Sequence, residues 1–223
     1  MPTVLITGAN RGIGLEFARQ YAADGWQVIA TARDAGEADA LRAVSNVRIE
    51  RLDMADIEAV ADFHEEIEGP LDLLIANAGT YQPETVETAE DARGWARMMV
   101  VNAIGPYVLG RSMLAQLADA SGKLIAISSD MGSIAANRSG GYVPYRSSKS
   151  ALNSAWRSLA IEARPLGVVV AAFNPGWVKT RMGGPHATLP AEESIGQMRA
   201  SIDSLSLEQS GGFFERDGRI IPW

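Results

Sequence analysis

Seven short apolar runs, spaced along 223 residues with helical stretches between them, leave this chain few folds to choose from. Residues 3–6, 27–32, 47–52, 71–76, 123–127 and 168–173 are of strand length, and Phe213, Phe214, Ile220 and Ile221 suggest a short last strand. Residues 71–76 are almost continuously apolar, as a strand covered on both faces must be. The segments 15–23, 57–67, 91–101, 103–117, 145–163 and 191–205 carry helical spacing. Strands alternating with helices predict an α/β architecture: one doubly wound parallel sheet with helices on both faces.

The length suits one domain with a substantial core, so residues 1–223 are read as a single unit. A net charge of −7 and the lack of any basic run argue against a nucleic-acid surface, which leaves small molecules as the better partners. The chain has no cysteine, and its two histidines, His64 and His186, are far apart in sequence, so no metal site is expected. No apolar run reaches membrane-spanning length and no charged leader precedes the first strand, so the cytoplasm is the expected compartment.

The first strand ends in Gly8-Ala9-Asn10-Arg11-Gly12-Ile13-Gly14, followed at once by an amphipathic stretch. Glycines let a backbone turn sharply and approach a pyrophosphate, which then rests on N–H groups at the helix N-terminus. A bound dinucleotide is the functional reading; a tight turn that merely uses glycine is the bland one. After the second strand an acidic residue would bind the adenosine ribose and repel a 2′-phosphate. Here the chain offers Arg33, with Arg11 in the glycine turn, and two guanidinium groups suit a phosphate. NADP(H) is therefore preferred and NAD(H) possible, because a strand ending one residue later would bring Asp34 to the ribose.

Asp53 follows the third strand, where its carboxylate either accepts from an adenine amine or caps the helix beginning near Ala55. Asn77-Ala78-Gly79 makes a small-residue turn after the fourth strand. Asn102, with Gly105 and Pro106, interrupts a long helical pattern, either as a mid-helix break or as a cap. Ser128 and Ser129 end the fifth strand at the edge where open parallel sheets bind ligands, and a serine hydroxyl there can donate to a carbonyl oxygen.

Tyr145 and Lys149 are i and i+4 on a helix opened by Pro144, so both side chains rise on one face, about 6 Å apart at Cβ. Bringing a tyrosine from a pKa of about 10 to neutrality needs roughly 4 kcal/mol in favour of the phenolate. An adjacent ammonium and a helix N-terminus both push that way, giving a proton donor and acceptor near pH 7. The chain has only three lysines, Lys123, Lys149 and Lys179, which makes Lys149 less of a default surface charge. Asn174-Pro175-Gly176 turns out of the sixth strand, and residues 177–205 are expected to form a short substrate lid.

In this order, the glycine turn, Asn77-Ala78-Gly79, Asn102, Ser129, Tyr145-x-x-x-Lys149 and Pro175-Gly176 resemble the short-chain dehydrogenase/reductase family over nearly the whole chain. Gly132-Ser133-Ile134, Gly140-Gly141-Tyr142 and the ending Asp217-Gly218-x-Ile220-Ile221-Pro222-Trp223 look most like its carbonyl-reductase and C-factor-like branch. The resemblance implies a Rossmann-type fold of about seven strands and an NAD(P)-dependent oxidoreductase reducing an aldehyde or ketone, or else a dinucleotide-binding signalling protein. It implies that Tyr145 is the general acid/base, that Lys149 binds the nicotinamide ribose and acidifies Tyr145, that Ser129 orients the carbonyl, and that Asn102 holds a water. It further implies that Gly8, Asn10, Arg11, Gly12, Ile13, Gly14, Arg33, Asp53, Asn77, Ala78, Gly79, Pro175, Gly176, Val178 and Thr180 line the cofactor together with Tyr145 and Lys149. A homodimer or homotetramer is expected from the same resemblance. Two departures stand out: Ala76 replaces the family's usual asparagine, and Ser129 precedes Tyr145 by sixteen positions, a few more than usual.

Overall fold

The computed structural model describes residues 1–34, 36 and 38–223. Seven strands, β1 (Thr3–Ile6), β2 (Gln27–Ala32), β3 (Val47–Arg51), β4 (Leu73–Ala76), β5 (Lys123–Ile127), β6 (Val169–Asn174) and β7 (Phe213–Glu215), form one sheet in the order β3-β2-β1-β4-β5-β6-β7. Every strand pair is parallel, so all the strand C-termini open at one edge. The doubly wound sheet read from the sequence is therefore the fold. Of the last apolar cluster, only Phe213 and Phe214 enter β7; Ile220 returns antiparallel to Phe214 as an isolated bridge.

Alternation along the strands divides the core in two. Leu5, Leu74, Leu124 and Val170 point to one face, against α3 (Ile57–Asp62), α5 (Gly105–Ser112) and α7 (Val143–Ala163). Val4, Ile6, Ile75, Ile125 and Phe173 point to the other, against α1 (Gly12–Ala23), the short α2 (Asp39–Arg42) and α8 (Ala191–Ser204). The inner stripe of α7 buries Leu152, Trp156 and Leu159, worth about 2 kcal/mol each in apolar burial. That stripe fixes the rotation of α7 and so the direction in which Tyr145 and Lys149 face.

The long pattern interrupted at Asn102 is one bent column. It runs through α4 (Ala89–Met99), a π turn (Val100–Ile104), α5 and α6 (Leu114–Asp119). Asn102 is thus a mid-helix break and not a cap. The alternative reading of Asp53 as a helix cap is likewise corrected, because the N-cap of α3 is Asp56, whose carboxylate accepts from the Ala59 N–H. Asp53 instead accepts from the Ala55 N–H at 3.0 Å, and its other oxygen lies 3.9 Å from Arg97.

Candidate active site

The strand order reverses between β1 and β4, the crevice where open α/β sheets take ligands. Two loops meet there at unusually close range. Gly8 has φ +63°, and a Cβ on it would stand 2.9 Å from Ala78 Cα. A Cβ on Gly14 would stand 2.6 Å from both Asn77 Nδ2 and the Gly8 carbonyl oxygen. Side chains at either position would force the loops apart. Asn77 fastens them, its Nδ2 donating to the carbonyls of Thr7 and Gly8 at 2.9 and 3.1 Å. The buried Thr7 hydroxyl accepts the backbone N–H groups of Asn77 and Ala78, each at 3.0 Å. The Asn77 amide thus holds the glycine turn; Thr7, which completes the clasp, was missed because a threonine ending a strand carries no signal of its own.

Gly12, at φ +57°, opens α1 with Thr180 packed 3.3 Å from its would-be Cβ. Arg11 is the exposed N-cap, and its side chain does not cap the helix. Asn10 and Ile13 lie half-buried in the same turn. Arg33 is exposed just beyond β2, while the Asp34 carboxylate folds back to accept from the Gly36 N–H at 2.8 Å. The strand thus ends where the sequence reading placed it, with the guanidinium and not the carboxylate next to the strand. Arg51, opposite Ala32 in the register, sends its Nε to the Arg33 carbonyl at 3.4 Å. Pro175 and Gly176 leave β6 at the same edge, Val178 is buried and bridges to Leu189, and Gly79 lies beside Asn102 and Lys149.

Ser129, Tyr145, Lys149 and Asn102 converge at this edge. Ser128 and Ser129 part company: Ser128 is buried and donates to Asn153 at 2.7 Å, whereas Ser129 is half-exposed and hydrogen-bonds with Tyr145. The sixteen-residue spacing is bridged because Gly132 lets its loop lie directly on α7, where a Cβ would stand 2.9 Å from the Cβ of Lys149. Ser150 Oγ and Asn153 Nδ2 then bind the Gly132 carbonyl at 3.0 and 3.3 Å. Asn102, fully buried, accepts from the Thr80 N–H and donates to the Thr80 carbonyl, both at 2.8 Å, and also donates to Ser148 Oγ at 3.0 Å. Its amide is committed to the loop after Gly79 and to Ser148 on α7, so a water it serves is expected on its main chain.

Lys149 Nζ lies 5.8 Å from the centre of the Tyr145 ring and donates to the Ile127 carbonyl at 2.7 Å. Burial pulls its pKa down to about 8. Burial also pushes the Tyr145 hydroxyl well above the ordinary tyrosine value, opposed by the hydrogen bond from Ser129 and reinforced by Tyr81 and Asp130. Burial is the largest influence on this hydroxyl, so the acidification of Tyr145 expected from Lys149 is not seen in the folded chain by itself. The phenol is held as a proton donor. Tyr81, unremarked in the sequence, packs edge-on against Tyr145 with ring centres 4.9 Å apart, and its own ring tilts against Tyr142 at 6.0 Å. Tyr142 caps α7 in the left-handed region, φ 48°, a conformation that costs a non-glycine residue about 1 kcal/mol.

The sequence matches the family model described as short chain dehydrogenase over residues 2–188. The chain belongs to that family. C-signal of Myxococcus xanthus is 44% identical over 156 residues, spanning 70% of this short chain dehydrogenase and 94% of that protein. Carbonyl reductase Sniffer of D. melanogaster is 32% identical and superposes with a TM-score of 0.92 over 100% of both chains. The NADPH-bound carbonyl reductase from chicken fatty liver is 32% identical with a TM-score of 0.91, over 100% of this chain and 99% of that one. These relatives bear out the carbonyl-reductase and C-factor-like branch expected from the motifs, and they make this short chain dehydrogenase an oxidoreductase. No described helix is long and apolar enough to cross a membrane.

Proposed function

We propose that the chain is an NADPH-dependent reductase of aldehydes or ketones. The observation that carries this reading is the convergence of Ser129, a protonated Tyr145 and Lys149 at the mouth of the β1/β4 crevice. The crevice fits a dinucleotide: Gly8 and Gly14 sit where a side chain would collide with Ala78 or Asn77, and the first turn of α1 offers backbone N–H groups suited to a pyrophosphate. Arg33, with Arg11 beside the turn, suits a 2′-phosphate, and Asp34 is occupied by its own loop. NADPH in the chicken carbonyl reductase supports the same choice. When bound, a reduced nicotinamide supplies a hydride to the carbonyl carbon.

The remaining work falls to this chain's residues. Ser129 Oγ hydrogen-bonds the carbonyl oxygen and sets its direction. Tyr145 delivers the proton to that oxygen as it gains charge, a contribution typically of about 10²–10⁴ in rate. Lys149 binds ribose hydroxyls and steadies the phenolate left behind, and the Asn102 main chain holds the water that restores the proton. Residues 177–205 close over the substrate. The chain assembles as a homodimer or homotetramer through the helices carrying Asn102 and Tyr145, where Ile104 and Ile161 are exposed.

The test is spectrophotometric: purified protein should oxidise NADPH against members of a panel of aldehydes and ketones, with NADH a poorer reductant. A second reading, a dinucleotide-binding signalling protein with little turnover, is favoured by the 44% identity to C-signal. It is supported instead if no member of the panel is reduced while NADPH still binds.

A further inference from the structure

Ser129 Oγ donates to Asp130 Oδ1 at 3.1 Å. Asp130 is exposed at the mouth of the site, and among the described residues no cation pairs with it. A lone carboxylate is a poor neighbour for a carbonyl reduction, because the carbonyl oxygen gains negative charge as hydride arrives. It also competes for the one hydrogen Ser129 has to give, on which the Tyr145 hydroxyl draws as well, since a hydroxyl carries one donor. A substrate that offers nothing to Asp130 must therefore compete with it for Ser129. A substrate that carries its own donor beside the carbonyl satisfies Asp130 and releases the Ser129 hydrogen to the carbonyl oxygen.

From this juxtaposition we infer that Asp130 selects carbonyl substrates bearing a hydroxyl or ammonium group on the carbon next to the carbonyl. The inference rests on the carbonyl-reductase reading and names the substrate class of that site. The distances agree. With a hydrogen bond of about 2.8 Å from Ser129 to the carbonyl oxygen, the Asp130 carboxylate lies within about 6 Å of that oxygen, and a group on the adjacent carbon spans the gap. The reaction balances as before: the carbon takes the hydride, the oxygen takes the Tyr145 proton, and the donor group keeps its own hydrogens. The ring of Tyr81, edge-on to Tyr145, and that of Tyr142, tilted against Tyr81, add faces favourable to an ammonium.

The experiment compares 2-hydroxyacetophenone with propiophenone, which has a methyl where the former has a hydroxyl, in the wild-type protein and in Asp130→Asn. Asp130→Asn is expected to lower kcat/KM for the hydroxy ketone, and to raise it for propiophenone, so that their ratio falls by about tenfold or more, as for loss of a charge-assisted hydrogen bond. Calorimetric titration of 2-hydroxyacetophenone into the NADP⁺-saturated protein should show a matching loss of affinity in the variant, without turnover. A ratio unchanged within about threefold, or an equal fall for both ketones, assigns Asp130 to the loop turn alone and overturns the inference. Wild-type protein that binds NADPH yet reduces neither ketone nor any panel member overturns the carbonyl-reductase reading itself. Reduction of propiophenone with no effect of Asp130→Asn overturns only the role of Asp130.

Discussion

The Lys149 ammonium stands 5.8 Å from the centre of the Tyr145 ring, buried and tied to the Ile127 carbonyl. Its pKa, near 8 in the folded chain, is about 10.4 in an unfolded one. Between those values the unfolded state holds the extra proton, so stability rises with pH through this window as the cost of burying the charge disappears. Comparing the melting temperatures of the cofactor-free wild type and Lys149→Met, the difference should move in favour of the wild type by about 4 °C between pH 7 and pH 9.5. Parallel curves would mean that Lys149 is not discharged on this scale.

The clasp between the glycine turn and the loop after β4 is tight enough to be tested with one methyl group. Gly14→Ala puts a Cβ 2.6 Å from Asn77 Nδ2 and the Gly8 carbonyl, an overpacking expected to cost about 1–3 kcal/mol. Thermal denaturation should show a drop of several degrees, and NADPH titration a loss of affinity of about tenfold or more. Unaltered stability and binding would show that the loops are not locked together.

Arg33 is exposed at the end of β2, with Asp34 turned into its own loop. Arg33→Ser should weaken NADPH binding by about 10- to 100-fold, as for loss of a charge-assisted contact, and leave NADH nearly untouched. Fluorescence titrations with both dinucleotides read this directly; equal losses for the two would assign Arg33 a structural task.

Asn102 spends its side chain on Thr80 and Ser148. Asn102→Leu keeps the volume but strands the Thr80 N–H and carbonyl in a buried place, at about 2–4 kcal/mol. The melting temperature should fall by about 5 °C or more, on the usual scaling for a chain of this size. A variant as stable as the wild type would mean that the loop finds other partners.

Much of this was legible in the sequence. Strand limits came within a residue or two, because apolar runs flanked by glycine, asparagine or charge are punctuated by the same chemistry that ends a strand, and Pro144 marked the start of α7. What was not legible depends on contacts between distant loops. Nothing local distinguishes Asp53 from Asp56 as the cap of α3, since both are aspartates near the helix start and only the turn geometry chooses. Gly132 stood out only as part of the Gly132-Ser133-Ile134 resemblance, with no structural task until its loop was laid on α7, and that contact is what brings Ser129 to Tyr145 across sixteen positions. The i and i+4 spacing of Tyr145 and Lys149 reports the neighbouring charge but not the burial that raises the phenol.

The most direct measurement is single-turnover kinetics of Tyr145→Phe alongside its NADPH dissociation constant, with any carbonyl the wild type reduces. Hydride transfer should slow by about 10²-fold or more, as for loss of a positioned general acid, while NADPH affinity stays within about threefold of the wild type. A variant that reduces the carbonyl at the wild-type rate would contradict the assignment of Tyr145 as the proton donor.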